Sequence, residues 1–427
     1  MRMILNNKRI ELSNNKGIKQ EKRNLSLKIG LFCLAAISTS TLFSVSAGPR
    51  EQAKRIHDRL AGVPPSETVL NSMEADIIAN GAIGANTAAY TAMEHSDFYR
   101  TTLKNMATPW TNEAQTVFAP LNDYTATFIG IVKDDIDIRE MLIGNIIYIG
   151  NEAGLPGYSN TNNDHYQAME DNFSDLKNVL QQDTQTNVTG LEAEATAGVL
   201  TTRAAAKAFL IDGTNRAHFR FTLINHLCGD LEPLKDISRA ADRIRQDVSR
   251  SPGGDSRIYN NSCYGCHAGM DPMIQSFAYY NYQYDVDTDP DAENGHLVYN
   301  TQGTVDASTG TRVQAKYHFN SANFPYGYIT ENDNWDNYWR QGQNANIGWD
   351  VSLPGSGSGA KSMGQELAYS AKFAQCQVEK VFENVCLRKP GNDADRTQVN
   401  TMIDSLKANS FQLKRTFAES AVYCMGE

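Results

Sequence analysis

Apolar positions recur at three and four residues over much of the stretch from 48 to 231: Ile56, Leu60 and Val63 in one segment, Leu142, Ile146 and Ile149 in another. That spacing predicts amphipathic helices, separated by Asn/Gly-rich breaks such as residues 157–163. A further helix is predicted over 233–248, with Ile237, Ala241, Ile244 and Val248 on one face and a stop at Ser251-Pro252-Gly253-Gly254. Pro272 is expected in the first turn of a short helix carrying Met273, Ile274 and Phe277. From 285 to 354 the period vanishes and Asn, Asp, Gly and aromatic residues dominate, which predicts a long ordered loop with a small hairpin around 297–305. Helical pattern returns at 360–387 and 393–423, the second with Val399, Met402, Ile403 and Leu406 on its apolar face. The expected fold class is mainly α: a helical N-terminal domain (48–235), then a helical domain (236–427) with an irregular aromatic-rich insert at 285–354.

The N-terminus reads as an export signal. Lys22, Arg23 and Lys28 precede the apolar run 29–37, and Val45-Ser46-Ala47 supplies small residues for cleavage after Ala47; an uncleaved anchor is the alternative. Cys33 follows Phe32, where a lipobox requires a small residue, so lipidation is not expected. No later stretch reaches 18 apolar residues, which argues against a membrane span after signal removal.

The chain of 427 residues carries 39 Lys+Arg against 49 Asp+Glu. Residues 1–47 hold eight of the bases and two of the acids, so the remainder has a net charge of −16. A surface that acidic repels phosphate backbones, which excludes nucleic acid as a favoured partner and points to proteins with basic patches.

Six cysteines follow Cys33. Two of them form Cys263-Tyr264-Gly265-Cys266-His267, a C-x-x-C-H sequence. That spacing is the attachment signal of c-type haem: two sulfurs capture the porphyrin vinyl groups, and the adjacent histidine reaches the iron as proximal ligand. Zinc would need two more ligands, and no second C-x-x-C or H-x-x-x-H exists in the chain. A redox disulfide would be expected in a βαβ setting. The other four, Cys228, Cys376, Cys386 and Cys424, are expected to form two disulfides in an oxidising compartment. Cys376 and Cys386 would lie about 15 Å apart on a continuous helix, so each is expected to pair elsewhere, one with Cys424 and one with Cys228.

The block Cys263-Tyr-Gly-Cys-His-Ala-Gly-Met-Asp-Pro272, with Phe277 and Tyr284-Asp285, resembles the CxxCHxxxDPxxxxF block of the planctomycete-type cytochrome c domain proteins, secreted bacterial proteins of largely unknown function. The likeness extends to Arg139-Glu140-Met141-Leu142, Asn151, Leu155-Pro156-Gly157, Gly198-Val199-Leu200-Thr201, Asn215-Arg216, Leu227-Cys228 and Phe373-Ala-Gln-Cys376. It covers about two thirds of the chain, but only the haem block is specific. The proline run expected after Leu227-Cys228 is reduced to Pro233, and the 285–354 insert is longer and more aromatic than the pattern suggests. The resemblance implies a helical, cytochrome c-like mono-haem protein of electron-transfer type.

For the distal ligand, the sequence offers Met363, in Gly359-Ala-Lys-Ser-Met363-Gly, first and His318 second, with His218 and His226 as outside candidates. Met270 and Met273 follow His267 too closely to reach the opposite haem face. Asp285, Asp287, Asp289 and Asp291 alternate as calcium ligands do, but Pro290 and His296 stand where an EF-hand needs Gly and Glu, and a solvated acidic loop is the competing reading. Residues 355–362 approach a phosphate-binding loop with Ala360 in place of a required glycine, and are read as a flexible hinge. Trp335, Trp339 and Trp349 are candidates for core packing or for a haem edge. The expectation is an exported, periplasmic mono-haem electron carrier; the alternatives are a haem oxidoreductase of peroxidase or oxygenase type and a cell-envelope binding or scaffold protein with an Asn/Tyr-rich surface, whose tryptophans, if exposed, would suit carbohydrate or surface binding.

Overall fold

Pro49 fixes φ at the first position of the helix Pro49–Ala61, and Gly62 ends it with φ 76°. Ala53, Ile56 and Leu60 are fully buried, so the three-and-four spacing does form a helix here. That helix packs with Glu67–Asn80 and Ala82–Met93, and also with Leu413–Cys424 from the other end of the chain. The computed structural model describes residues 47–211 and 213–426; the expected signal segment before Ala47, including Cys33, lies outside the described residues. Residues 47–427 form one compact unit, so the boundary expected at 235/236 falls inside a shared core.

The unit is mainly α, and among the described residues the strands form three two-stranded antiparallel pairs. Helix Asp123–Lys133, capped by Asn122 accepting from the Thr125 N–H, is buried nearly all round. Against it lies strand Ile147–Gly150, paired with Leu180–Asp183. The continuous helix suggested by Leu142, Ile146 and Ile149 is therefore replaced by the short helix Glu140–Ile143, a turn at Gly144 and this strand. The β-branched and aromatic run Ile-Ile-Tyr-Ile favours a pleated surface over a helix.

Residues 233–248 are not a helix either. After the 3₁₀ turn Glu232–Leu234 the chain is irregular. Its backbone groups pair instead with residues 324–328: Tyr328 N–H donates to Ile244 O (3.0 Å), Gln246 N–H to Tyr328 O (3.3 Å) and Phe324 N–H to Gln246 O (2.9 Å). Asp236 accepts from the Ser238 N–H at 2.9 Å and holds a turn at the point where the helix would start. Ile244 is buried, whereas Ile237 is 70% exposed.

The insert is ordered and largely irregular. Its first strand, His296–Tyr299, pairs backwards with Tyr280–Gln283 rather than forming a hairpin with 300–305, and Asn334–Asp336 pairs with Ser356–Ser358. Residues 355–362 thus supply a strand and the start of helix Gly359–Ala368, not a hinge. Trp335, Trp339 and Trp349 are all buried, so they are not the exposed tryptophans that a carbohydrate- or surface-binding role would use.

Each of the two long C-terminal helices is broken in two. Ser370 caps a new start, so Gly359–Ala368 is followed by Ala371–Cys386, and Ser410 and Phe411, both at positive φ, separate Asp393–Ala408 from Leu413–Cys424. Val399, Met402 and Leu406 are buried as their spacing predicted. Disulfides join Cys228 to Cys376 and Cys386 to Cys424, with Cα–Cα distances of 5.3 and 5.6 Å. Cys376 and Cys386 are thus bonded elsewhere, as their helical separation predicted, and the structure selects one of the two pairings that the sequence left open. Among the described residues no helix is long and apolar enough to cross a membrane.

Candidate functional site

The C-x-x-C-H residues sit where one helix type passes into another. A π-helical turn, Tyr259–Cys263, runs directly into the α-helix Tyr264–Ile274, placing Cys263 at the junction and Cys266 and His267 on the first α-turn. Such π-turns interrupt the i→i−4 ladder and are frequent at functional positions. Pro272 lies inside this helix rather than at its start, and the helix ends two residues later, before the 3₁₀ turn Gln275–Phe277. A proline removes one internal hydrogen bond, which is tolerable so close to the end.

Cys263 and Cys266 are free thiols and partly exposed, in a chain whose other four described cysteines are paired. Burial pushes the Cys266 thiol up from its ordinary value, and its Sγ lies 3.5 Å from Leu231 O. The segment after Leu231 lines the motif: Asp236 N–H donates to Gly265 O at 3.1 Å, and Tyr264 Oη donates to Arg239 O at 2.6 Å. A Cβ on Gly265 would stand 3.3 Å from Asp236 N, Ile237 Cγ2 and Lys235 Cβ, so the two segments are in close contact. Ile237 and Ile258, 70% and 46% exposed, leave apolar surface on the segments flanking the motif.

His267 is held from behind. Its Nδ1 lies 3.0 Å from Asp271 Oδ1, one turn further along the same helix. Asp271 is fully buried and is gripped by Arg216 through Nε to Oδ1 (2.9 Å) and Nη2 to Oδ2 (3.0 Å). The same guanidinium reaches Asp247 through Nη1 to Oδ2 (2.6 Å) and Nη2 to Oδ1 (3.0 Å). Arg245, also buried, stacks over Tyr317 at 4.5 Å, and Tyr317 Oη donates to Ile274 O at the end of the motif helix (2.9 Å). Burial alone would raise the Asp271 carboxyl, but Arg216 and His267 outweigh it and hold the group well below the usual carboxylate range. With Nδ1–H donating to Asp271, the Nε2 lone pair of His267 is left for a metal.

Arg216 opens the helix Arg216–Leu227, and its neighbour Asn215 adopts φ 62°. Asn215 Nδ2 donates to Phe277 O (2.9 Å) and Tyr280 O (3.1 Å), so consecutive residues grip the acid on the motif helix and the chain just beyond it. Asn215-Arg216 and Asp271 belong to the segments that carry the family resemblance, but no role for them is readable from it. Asp271 was discoverable as a carboxylate at i+4 from a ligand histidine; Arg216, more than fifty positions away, gave no local signal.

The distal candidates are each engaged by other parts of the chain. Met363 is fully buried in the main core, on a helix packed against the Gln275–Phe277 turn and Glu140–Ile143. That turn begins about 12 Å along the motif helix from His267. His318 Nε2–H donates to Thr330 O at 2.7 Å and is tied locally. His218 and His226 are buried, and burial pushes His218 down to about 3 and His226 well below its ordinary range. His226 Nε2 is taken by Tyr124 Oη at 2.7 Å.

The acidic loop spends its carboxylates on its own turns: Asp285 Oδ1 accepts from Asp287 N–H (3.0 Å), and Asp289 accepts from Glu293 N–H (3.0 Å) and Asn294 N–H (2.6 Å). Asp285, Asp287, Asp289 and Asp291 do not converge, and among the described residues no group of three or more His, Cys, Asp or Glu side chains is arranged to hold a metal ion. Comparison with protein-family models, with curated proteins and with solved structures found no match to this chain.

Proposed function

We propose that the protein is an exported electron carrier holding one haem c, with Cys263 and Cys266 as thioether attachment points and His267 as proximal ligand. The observation that carries this reading is the pairing state of the cysteines. Four of the six described cysteines are joined in disulfides, and the two left as thiols are the C-x-x-C pair beside an imidazole with Nε2 free. The fit of the site to the group is supported by Asp271 behind His267, the kind of partner that fixes the tautomer of a metal-bound histidine, and by exposed Ile237 and Ile258, apolar surface that a porphyrin would cover. When bound, the haem supplies the one-electron couple; the chain's residues anchor it, orient the imidazole and limit access of water. The net acidic surface of the chain suits redox partners with basic patches, and the resemblance to planctomycete-type cytochrome c domain proteins agrees with such a role.

A haem-dependent oxidoreductase is the second reading. It is favoured by the existing environments of Met363, fully buried in the main core, and of His318, bonded to Thr330 O, since a catalytic iron needs one position open. Optical and EPR spectra of the haem-loaded protein separate the two. The carrier reading expects low-spin, six-coordinate ferric haem that binds cyanide slowly. High-spin haem with rapid cyanide or peroxide binding would replace it with the enzyme reading.

A further inference from the structure

Asp271 is more than a buried anion. Its two oxygens receive the His267 ring, the Nε–Nη2 edge of Arg216 and, at 3.4 Å, the Arg245 backbone N–H. Arg216 in turn divides its donors between Asp271 and Asp247. Two buried or nearly buried acids face two arginines, and the His267 imidazole is the one neutral-capable group that the cluster turns outward, with 19% of its side chain exposed. The Nδ1 contact is therefore an adjustable one: how much negative charge Asp271 offers the ring depends on how much of it Arg216 absorbs, and that depends on how strongly Asp247 competes for the same guanidinium.

We propose that the Arg216–Asp271 pair is a positioning device that sets how strongly His267 donates to iron, and through that the reduction potential of the bound haem. This rests on the haem reading above. A carboxylate acceptor on Nδ1–H raises the basicity of the ligating nitrogen, and a stronger donor stabilises ferric over ferrous iron. A cation clamped on that carboxylate withdraws part of the effect. Arg216 and Asp271 thus act in opposite directions on the same couple, a pattern that a purely structural salt bridge does not produce.

The test is spectroelectrochemical titration of the haem-loaded, full-length protein and three variants. Asp271→Asn keeps an oxygen beside Nδ1 and removes the charge, so at a fixed applied potential the ferric-to-ferrous ratio falls about tenfold; Arg216→Gln frees the carboxylate, so the ratio rises about tenfold. Asp247→Asn leaves the His267 contact untouched and hands all of Arg216 to Asp271, so the ratio falls. That third variant reads the same axis if either of the others does not fold. Haem-bearing variants with the wild-type midpoint, or Asp271→Asn and Arg216→Gln shifting it in the same direction, overturn the tuning role and leave the haem reading intact. A wild-type chain that takes up no haem overturns both, and is recognised before any variant is made.

Discussion

Trp339 sets the Nε1 side of its indole against Gly269 on the motif helix, so close that a Cβ on Gly269 would overlap Nε1. The tryptophan is fully buried, and its backbone carbonyl accepts from Trp349 Nε1 at 3.0 Å. One residue of the insert thus presses on the helix that carries Cys266 and His267, two residues beyond the histidine. Gly269→Ala is expected to lower stability by about 1–3 kcal/mol through overpacking, read by denaturant unfolding. Trp339→Leu, which opens space above position 269, should recover part of that loss in the double variant; strict additivity would show that the two residues do not meet.

The two disulfides should differ in weight. Cys228–Cys376 closes 148 residues and Cys386–Cys424 closes 38. Loop-closure entropy assigns about 5 kcal/mol to the first and about 4 kcal/mol to the second. Replacing the pair Cys228 and Cys376 by alanine is therefore expected to lower the unfolding midpoint more than replacing Cys386 and Cys424. In unreduced, haem-free protein only Cys263 and Cys266 of the described cysteines should react with a thiol reagent.

Asp333 gives a pH dependence of defined sign. Burial, partly offset by Arg312, pushes its carboxyl up to about 6 from the usual value. In the window between about 4 and about 6 the folded protein keeps a proton that the unfolded chain has released. Stability contributed by this group therefore falls as pH rises through that window and is lowest above it. Asp333→Asn should stabilise the protein by about 1–2 kcal/mol at pH 7 and by much less at pH 4.5. Equal effects at both pH values would show that the side chain is not buried as described.

What the sequence disclosed was what short-range forces decide. Ile56 and Leu60 form a helix because their spacing and the flanking Pro49 and Gly62 agree, and helical rise excluded a Cys376–Cys386 bond while leaving open which of the two meets Cys228 and which Cys424. Residues 233–248 misled because their helical period competes with hydrogen bonds to 324–328, nearly eighty positions away, and only the folded chain shows which set wins. The long C-terminal helices broke at Ser370 and at Ser410-Phe411 for reasons of capping and backbone φ that apolar periodicity does not register. At the site, Cys263, Cys266 and His267 were readable as a motif and Asp271 as its i+4 neighbour. Arg216 and Asp247 were not, since an arginine gives no sign in sequence of which acid it will meet.

The most direct measurement is the fate of the haem when the protein is unfolded. Protein matured in a host with a c-haem assembly system is denatured, extracted with acid–acetone and examined by absorption and intact mass. The account predicts that the Soret band stays with the polypeptide and that the mass exceeds the apoprotein by one haem, lost when Cys263 and Cys266 are both replaced by alanine. Complete extraction of haem from well-folded wild-type protein, or a mass equal to the bare chain, would contradict it.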